Sequence, residues 1–345
     1  MLHKNGDLES SLIKKAKEYN TQNEQPANLW EWTIERTILQ HEKFFLYAVM
    51  TKLIPPNAED ENHNKVMKVK KVTNEKQFDE ICRISQIRKK LSDIENQYII
   101  YYDCDTFVFR SSGLYHIAIY DDPDRNCYNW IKYDHVGVKI SMLYVFYILK
   151  DIVGALDYLE KSNLILTQLN LDNIYAGSIS EDRFTFIKLY FKGYQVESLP
   201  DMSFDPNKVF PRDMFAPPET DGNNPHKSNL FQLGIVTLWC ILTNHSLEFD
   251  GAFYRNTPEN AQKLKDYINT AAGKIEGCPD SSKQEFINFM SLLLTYDVSK
   301  RPSPRQMLEH NYIQLMRKAD EEDFQRQLAE YKKAEANKQE EAKQE

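Results

Sequence analysis

Residues 164–174 read Leu-Ile-Leu-Thr-Gln-Leu-Asn-Leu-Asp-Asn-Ile, directly after an apolar-periodic stretch, 145–159, that ends Ala-Leu-Asp-Tyr-Leu. The polar side chains of this stretch decide what chemistry is open to it. Asp172 is its carboxylate, and Asp182 follows ten residues later. Carboxylates of this kind take protons or hold hard cations, which favour oxygen ligands. Asn173 offers a further oxygen, although a loop Asn also serves as a turn residue that bonds its own backbone. Lys70 closes the strand-like run Met67-Lys68-Val69-Lys70, and Lys65, Lys68 and Lys71 surround it. That run is a local basic patch on an otherwise acidic chain. The 5 cysteines, Cys82, Cys104, Cys127, Cys240 and Cys278, are scattered without a C-x-x-C pair. A zinc site and a disulfide framework are therefore not expected, and a reducing compartment fits the pattern.

The helix followed by 164–174 resembles the catalytic-loop region of protein kinases, where the loop reads H-R-D-L-x-x-x-N. Aligned on Asn173, Leu166 stands at the His, Thr167 at the Arg and Gln168 at the catalytic Asp. The other parts needed for phosphoryl transfer are lost in the same way. The phosphate loop falls on Leu39-Gln40-His41-Glu42-Lys43-Phe44, without a glycine, and Glu42 adds a charge that repels phosphate. Lys70 matches the strand Lys, but its usual Glu partner falls on Ile84, with Glu80 one turn earlier. After a strand-like run at 186–190, Phe191-Lys192-Gly193 occupies the D-F-G place, so Phe191 replaces the metal-holding Asp. A phenyl ring cannot ligate magnesium. Asn173 keeps the place of the second metal ligand.

The parts that build the fold are better kept. Ala216-Pro217-Pro218-Glu219 resembles the A-P-E element, and 296–303 resembles D-x-x-x-R-P-[ST]. The resemblance implies a buried ion pair between Glu219 and Arg301. Asn229-Leu230-Phe231-Gln232-Leu233-Gly234 resembles the D-V-W-S-L-G helix start, with Asn229 as a helix cap. Met307-Leu308-Glu309-His310 resembles the closing helix. The likeness covers roughly residues 30–315.

The elements that must position these residues follow from periodicity. Strand-like runs at 32–39, 44–53, 66–72, 98–104, 106–110 and 114–120 surround one helix at 77–91. After the acidic connector 121–124, helical spacing dominates at 141–160, 230–242, 258–272, 283–295 and 303–311. The resemblance therefore implies an α+β, bilobal, protein-kinase-like fold. Its expected parts are a polar N-terminal extension at 1–28, a small β-rich lobe with one helix at 29–121, a larger mainly helical lobe at 122–316, and a charged helical tail at 317–345. The extension is expected to be a mobile or partner-docked arm. The tail carries a thin apolar stripe, Phe324, Leu328 and Tyr331, as candidate partner contacts.

Composition narrows the function. Lys+Arg is 43 against Asp+Glu 51, a net charge of −8, which argues against nucleic acid or an anionic membrane as the main partner. The apolar runs at 140–149 and 230–242 are too short to span a bilayer, and the first residues lack an apolar signal core. The expected function is a catalytically inactive pseudokinase that acts as a scaffold or allosteric partner for another protein. It has no catalytic residues, metal or cofactor, with Lys70 and Asn173 leaving metal-free ATP as an open option. A structural subunit of a larger assembly and an atypical ATP-binding kinase with displaced carboxylates are the alternatives. The expected compartment is the cytoplasm, with a cytoskeletal or ciliary site as a variant.

Overall fold

A computed structural model describes residues 2–22, 32–41, 44–51, 65–92, 102–121, 141–167, 169–170, 174–180, 183–189, 196–198, 215–219, 224–243, 252–277 and 280–341. The chain is a mixed α and β protein. Its first part is a five-stranded antiparallel sheet of β1 (Trp32–His41), β2 (Phe44–Thr51), β3 (Lys65–Val72), β4 (Tyr102–Arg110) and β5 (Gly113–Asp121), in the order β1-β2-β3-β5-β4. Helix α1 (Leu2–Gln22) precedes it, and α2 (Glu75–Ser92) crosses from β3 to β4. Valine, isoleucine and aromatic residues favour these pleated, half-buried strands.

Two expectations are corrected here. The runs 98–104 and 106–110 do not form two strands split at Asp105: Tyr102–Arg110 is one strand, with a register shift between Tyr102 and Cys104. Asp105 reads as a breaker because its carboxylate needs partners. The fold supplies them, with Ser85 Oγ donating to Asp105 Oδ1 at 2.7 Å and His116 Nε2 bonded to the same oxygen. The N-terminal arm is also not free. Leu12, Ala16 and Tyr19 of α1 are buried with Val72, Phe78, Ile81, Phe107 and Leu114. The amide of Asn20 donates to Phe107 O at 2.7 Å and accepts from Phe107 N at 3.1 Å. It satisfies outward backbone groups of the edge strand β4, which would otherwise be open to another strand.

The larger core is helical. It is centred on α3 (Met142–Lys161), whose Phe146, Leu149, Ile152, Val153, Ala155 and Leu156 are fully buried. Ser141 caps its start, accepting from Tyr144 N. Its end is set by Asn163, which takes a left-handed φ of 54° that Asn tolerates better than most residues. Around it pack α4 (Pro225–Thr243), α5 (Pro258–Lys274), α6 (Asp280–Leu293) and the short α7 (Pro304–Leu308). Gly234 in α4 permits the close approach of α6, since a Cβ there would stand 2.7 Å from Leu294 Cδ2. Small ribbons pair β6 (Leu164–Leu166) with β9 (Val196–Ser198) and β7 (Ile174–Ser180) with β8 (Arg183–Leu189).

The helix expected at 303–311 is two elements. Helix α7 has a capping box between Ser303 and Gln306, and a new helix, α8 (Asn311–Glu341), follows it. His310 makes the break by accepting Tyr312 N at Nδ1, 3.1 Å away. The charged tail therefore continues a helix whose Tyr312, Ile313 and Met316 belong to the core.

Candidate functional site

The loop after α3 is built from its backbone. Strand β6 is fully buried, with Leu164 at 1 % exposure and Leu166 at 0 %. Asn229 and Gln232, both buried in α4, hold the segment from beneath. Asn229 Nδ2 donates to Leu166 O at 2.8 Å and to Gln232 Oε1 at 2.9 Å, and Leu169 N donates to Gln232 Oε1 at 3.3 Å. Asn229 thus lies in the fifth position of a helix that starts at Pro225, and it does not cap that helix as the sequence motif implies. Its amide can donate to a carbonyl oxygen, which an ionised carboxylate cannot do.

Leu166 and Thr167 are buried, and neither presents an ionisable group. Among the described residues at 164–170 there is no carboxylate and no imidazole, so none of them can accept a hydroxyl proton at neutral pH. Gln168, Asn173, Asp172, Asp182 and Phe191 lie outside the described residues, as does the centre of the expected phosphate loop. The backbone of β1 and β2 runs on either side of that loop, with His41 paired to Phe44.

Lys70 lies on β3 opposite His116 of β5, so the two share a sheet face. That face is the one covered by α2, because Ser85 of α2 reaches Asp105 beside His116. Among the described residues no carboxylate forms an ion pair with Lys70. Ile84, at the expected partner position, is partly buried, and Glu80 is exposed. The acidic group that α2 engages is instead Asp105, within a buried Ser85–Asp105–His116 network. This is not a nucleophile arrangement: Ser85 donates to the carboxylate rather than to the imidazole. His116 also lies against Phe107, with ring centroids 5.2 Å apart, and Phe107 meets Phe78 of α2 and Tyr19 of α1. Sequence reading missed this network. The signal available was an isolated Asp inside a run of β-branched and aromatic residues.

The expected Glu219–Arg301 pair is present and deeply placed. Arg301 is 0 % exposed and the Glu219 side chain 7 %. Arg301 Nη1 donates to Glu219 Oε1 and, at 2.7 Å, to Lys227 O. Nη2 donates to Glu219 Oε2 at 3.3 Å and to Thr295 O at 2.7 Å, and Nε donates to Thr295 O at 3.0 Å. All five guanidinium donors are used, and the group also stands over the Phe231 ring, 5.1 Å from its centroid. Ser228 Oγ adds a third donor to Glu219 at 2.9 Å.

Burial is the largest cause of three shifted protonation equilibria. His226, 6 % exposed, is pushed down to about 4 by burial, and neither ring nitrogen has a partner among the described residues. The Cys82 and Cys240 thiols are pushed up to about 12, chiefly by burial, which keeps both protonated.

The tail stripe is partly placed. Phe324 is half exposed and Leu328 partly buried, while the side chain of Tyr331 lies outside the description. Among the described residues no helix is long and apolar enough to cross a membrane, and no group of three or more His, Cys, Asp or Glu is arranged to hold a metal ion.

No family model matches the chain. The chain is similar to a protein of Dictyostelium discoideum named "Probable serine/threonine-protein kinase mkcE", at 26% identity over 175 residues. The match covers 49% of this chain and 22% of the relative, so the chain spans about a fifth of that protein's length. This weak similarity supports a protein kinase-like relationship over about half the chain.

Proposed function

We propose that the chain is a bilobal pseudokinase, a kinase-like domain that transfers no phosphate and acts through its surfaces on another protein. The observation that carries this reading is the contrast between two places of the motif pattern within one chain. The anchor Glu219–Arg301 is intact and uses every guanidinium donor. The loop beside it offers a buried Leu166 and Thr167 where a kinase has His and Arg, and Gln168 in place of the general base. Removal of a general base alone lowers a rate about 10²–10⁴-fold. Loss of the metal-holding Asp at Phe191 and of the phosphate-loop glycines leaves no obvious route to recover it. Phe324 and Leu328 on α8 are the first candidate partner contacts, with Tyr331 on the same stripe by spacing. A cytoplasmic site accords with this reading.

The similar Dictyostelium protein is named as a probable kinase, and this favours one second reading, an atypical kinase that uses displaced carboxylates such as Asp172. Thermal unfolding of the purified chain with ATP, with and without magnesium, separates the two. A ligand at 100 times its Kd stabilises by about 2.7 kcal/mol, or about 4 °C in a chain of this size. The pseudokinase reading expects no magnesium-dependent shift and no phosphotransfer to a generic protein substrate. A magnesium-dependent shift with transfer that Asp172→Asn abolishes would replace it with the enzyme reading.

A further inference from the structure

An open cleft of about 420 Å³ lies between the start of α4, the 295–302 turn and α7, on the outer side of the Arg301 anchor. Its polar lining includes Lys227, Ser299, Lys300, Arg301, Gln306 and His310, and no Asp or Glu lines it. Arg301 contributes charge only to Glu219, since its five donors are all used within the anchor. The remaining donors are available. The carbonyl of Lys227 serves Arg301, and its ammonium, which makes no salt bridge among the described residues, is attracted by Glu160 at the end of α3. Lys300 faces Asp297 Oδ2 at 3.4 Å, with the two side chains 77% and 47% exposed. Such an exposed pair holds its members weakly, and Asp297 Oδ1 is already taken by the Ser299 amide and hydroxyl, at 3.0 and 2.6 Å. Gln306 accepts Ser303 N with its oxygen, so its NH₂ is left to donate.

His310 completes the set. Burial lowers its proton affinity, against a smaller opposing pull from Glu285, so the ring is neutral near pH 7. Nδ1 accepts Tyr312 N, which places the ring proton on Nε2 and makes His310 a donor as well. Residues that carry two ammonium groups, an amide and an imidazole N–H thus line one cleft, without a lining carboxylate.

We infer that this cleft is an oxyanion site that takes a phosphate group, using Lys227 and Lys300 for charge and Gln306 and His310 for direction. A phosphate monoester offers several acceptor oxygens and about two negative charges at neutral pH, which matches donors arranged around a volume larger than a simple halide needs. The inference is independent of the pseudokinase reading, because it uses none of the loop, phosphate-loop or Lys70 positions.

The test follows the imidazole Cε1–H signals of the 8 histidines in the full chain by NMR, with His310 assigned from a His310→Gln variant. Inorganic phosphate and, separately, O-phosphoserine replace chloride at constant ionic strength. The expected result is a saturable shift of the His310 signal, with an apparent Kd raised about tenfold or more in Lys227→Gln/Lys300→Gln, as loss of a charged hydrogen bond predicts. Both lysines can be neutralised without touching the anchor, since only the backbone of Lys227 meets Arg301. Tighter binding of phosphoserine than of phosphate assigns a phosphorylated side chain as the ligand, and equal binding assigns free phosphate. A His310 signal that does not move, or moves equally in the double variant, overturns the inference.

Discussion

Replacement of Arg301 by Gln tests whether the Glu219–Arg301 pair holds the helical core. The substitution removes a fully buried cation and its five hydrogen bonds. Glu219 would keep Ser228 Oγ as its described donor, and the carbonyls of Lys227 and Thr295 would lose theirs. A buried pair broken on one side costs about 3–5 kcal/mol, because the remaining charge has neither water nor partner. For a chain of 345 residues about 1.4 °C accompanies each kcal/mol, so Tm should fall by roughly 4–7 °C when helix content is followed by circular dichroism. Glu219→Gln should fall by a similar amount, and the double variant Glu219→Gln/Arg301→Gln by less than the sum, since the two residues share one interaction. Lys300→Gln, one residue away and exposed, should move Tm by no more than about 2 °C. An Arg301→Gln chain that melts within 2 °C of the parent, or a double variant whose loss equals the sum, would refute the anchor.

Three further outcomes are expected. His226 is held neutral down to about pH 4 by burial, below the value of an exposed imidazole near 6.5. The unfolded chain therefore takes up this proton first, so the contribution is complete above pH 6.5 and lost as pH falls toward 4, a swing of about 3 kcal/mol. Urea midpoints at pH 7.5 and 5 should differ less in His226→Leu than in the parent, and equal differences would contradict this account. Gly234→Ala should destabilise by about 1–3 kcal/mol in urea titration, because the new methyl meets buried Leu294 at 2.7 Å, which outweighs a helix-propensity gain of about 1 kcal/mol. Asn20→Ala removes both bonds to Phe107, so hydrogen exchange at the Phe107 amide should quicken while amides in α3 keep their protection. A slow Phe107 amide in that variant would mean that α1 does not seal the β4 edge.

Much of the architecture was legible in the residues themselves. Apolar spacing marked α3, α4, α5 and α6 because each buries a long face against its neighbours, and burial is what periodicity records. The strands of the first sheet were legible for the same reason, apart from the break read at Asp105. Glu219 and Arg301 lie 82 positions apart and were paired from their motifs alone, since so costly a buried charge is kept only where its partner is fixed.

Other features needed the assembled chain. A polar helix such as α1 carries few apolar residues, and nothing local shows that Leu12, Ala16 and Tyr19 share a core cluster with Phe107, whose ring Tyr19 meets from 88 positions away. Asp105 is a strand breaker until Ser85 and His116 arrive from other elements to satisfy its carboxylate. Asn229 is a cap by motif, and a clamp on Leu166 only because α4 runs directly beneath β6. The basic cleft beside Arg301 joins Lys227 to His310 across 83 positions. Sequence by itself determined which faces are apolar and which chemical groups are present. Tertiary structure alone decided which polar groups meet, because a hydrogen bond depends on a few ångströms between residues whose separation along the chain carries no such information.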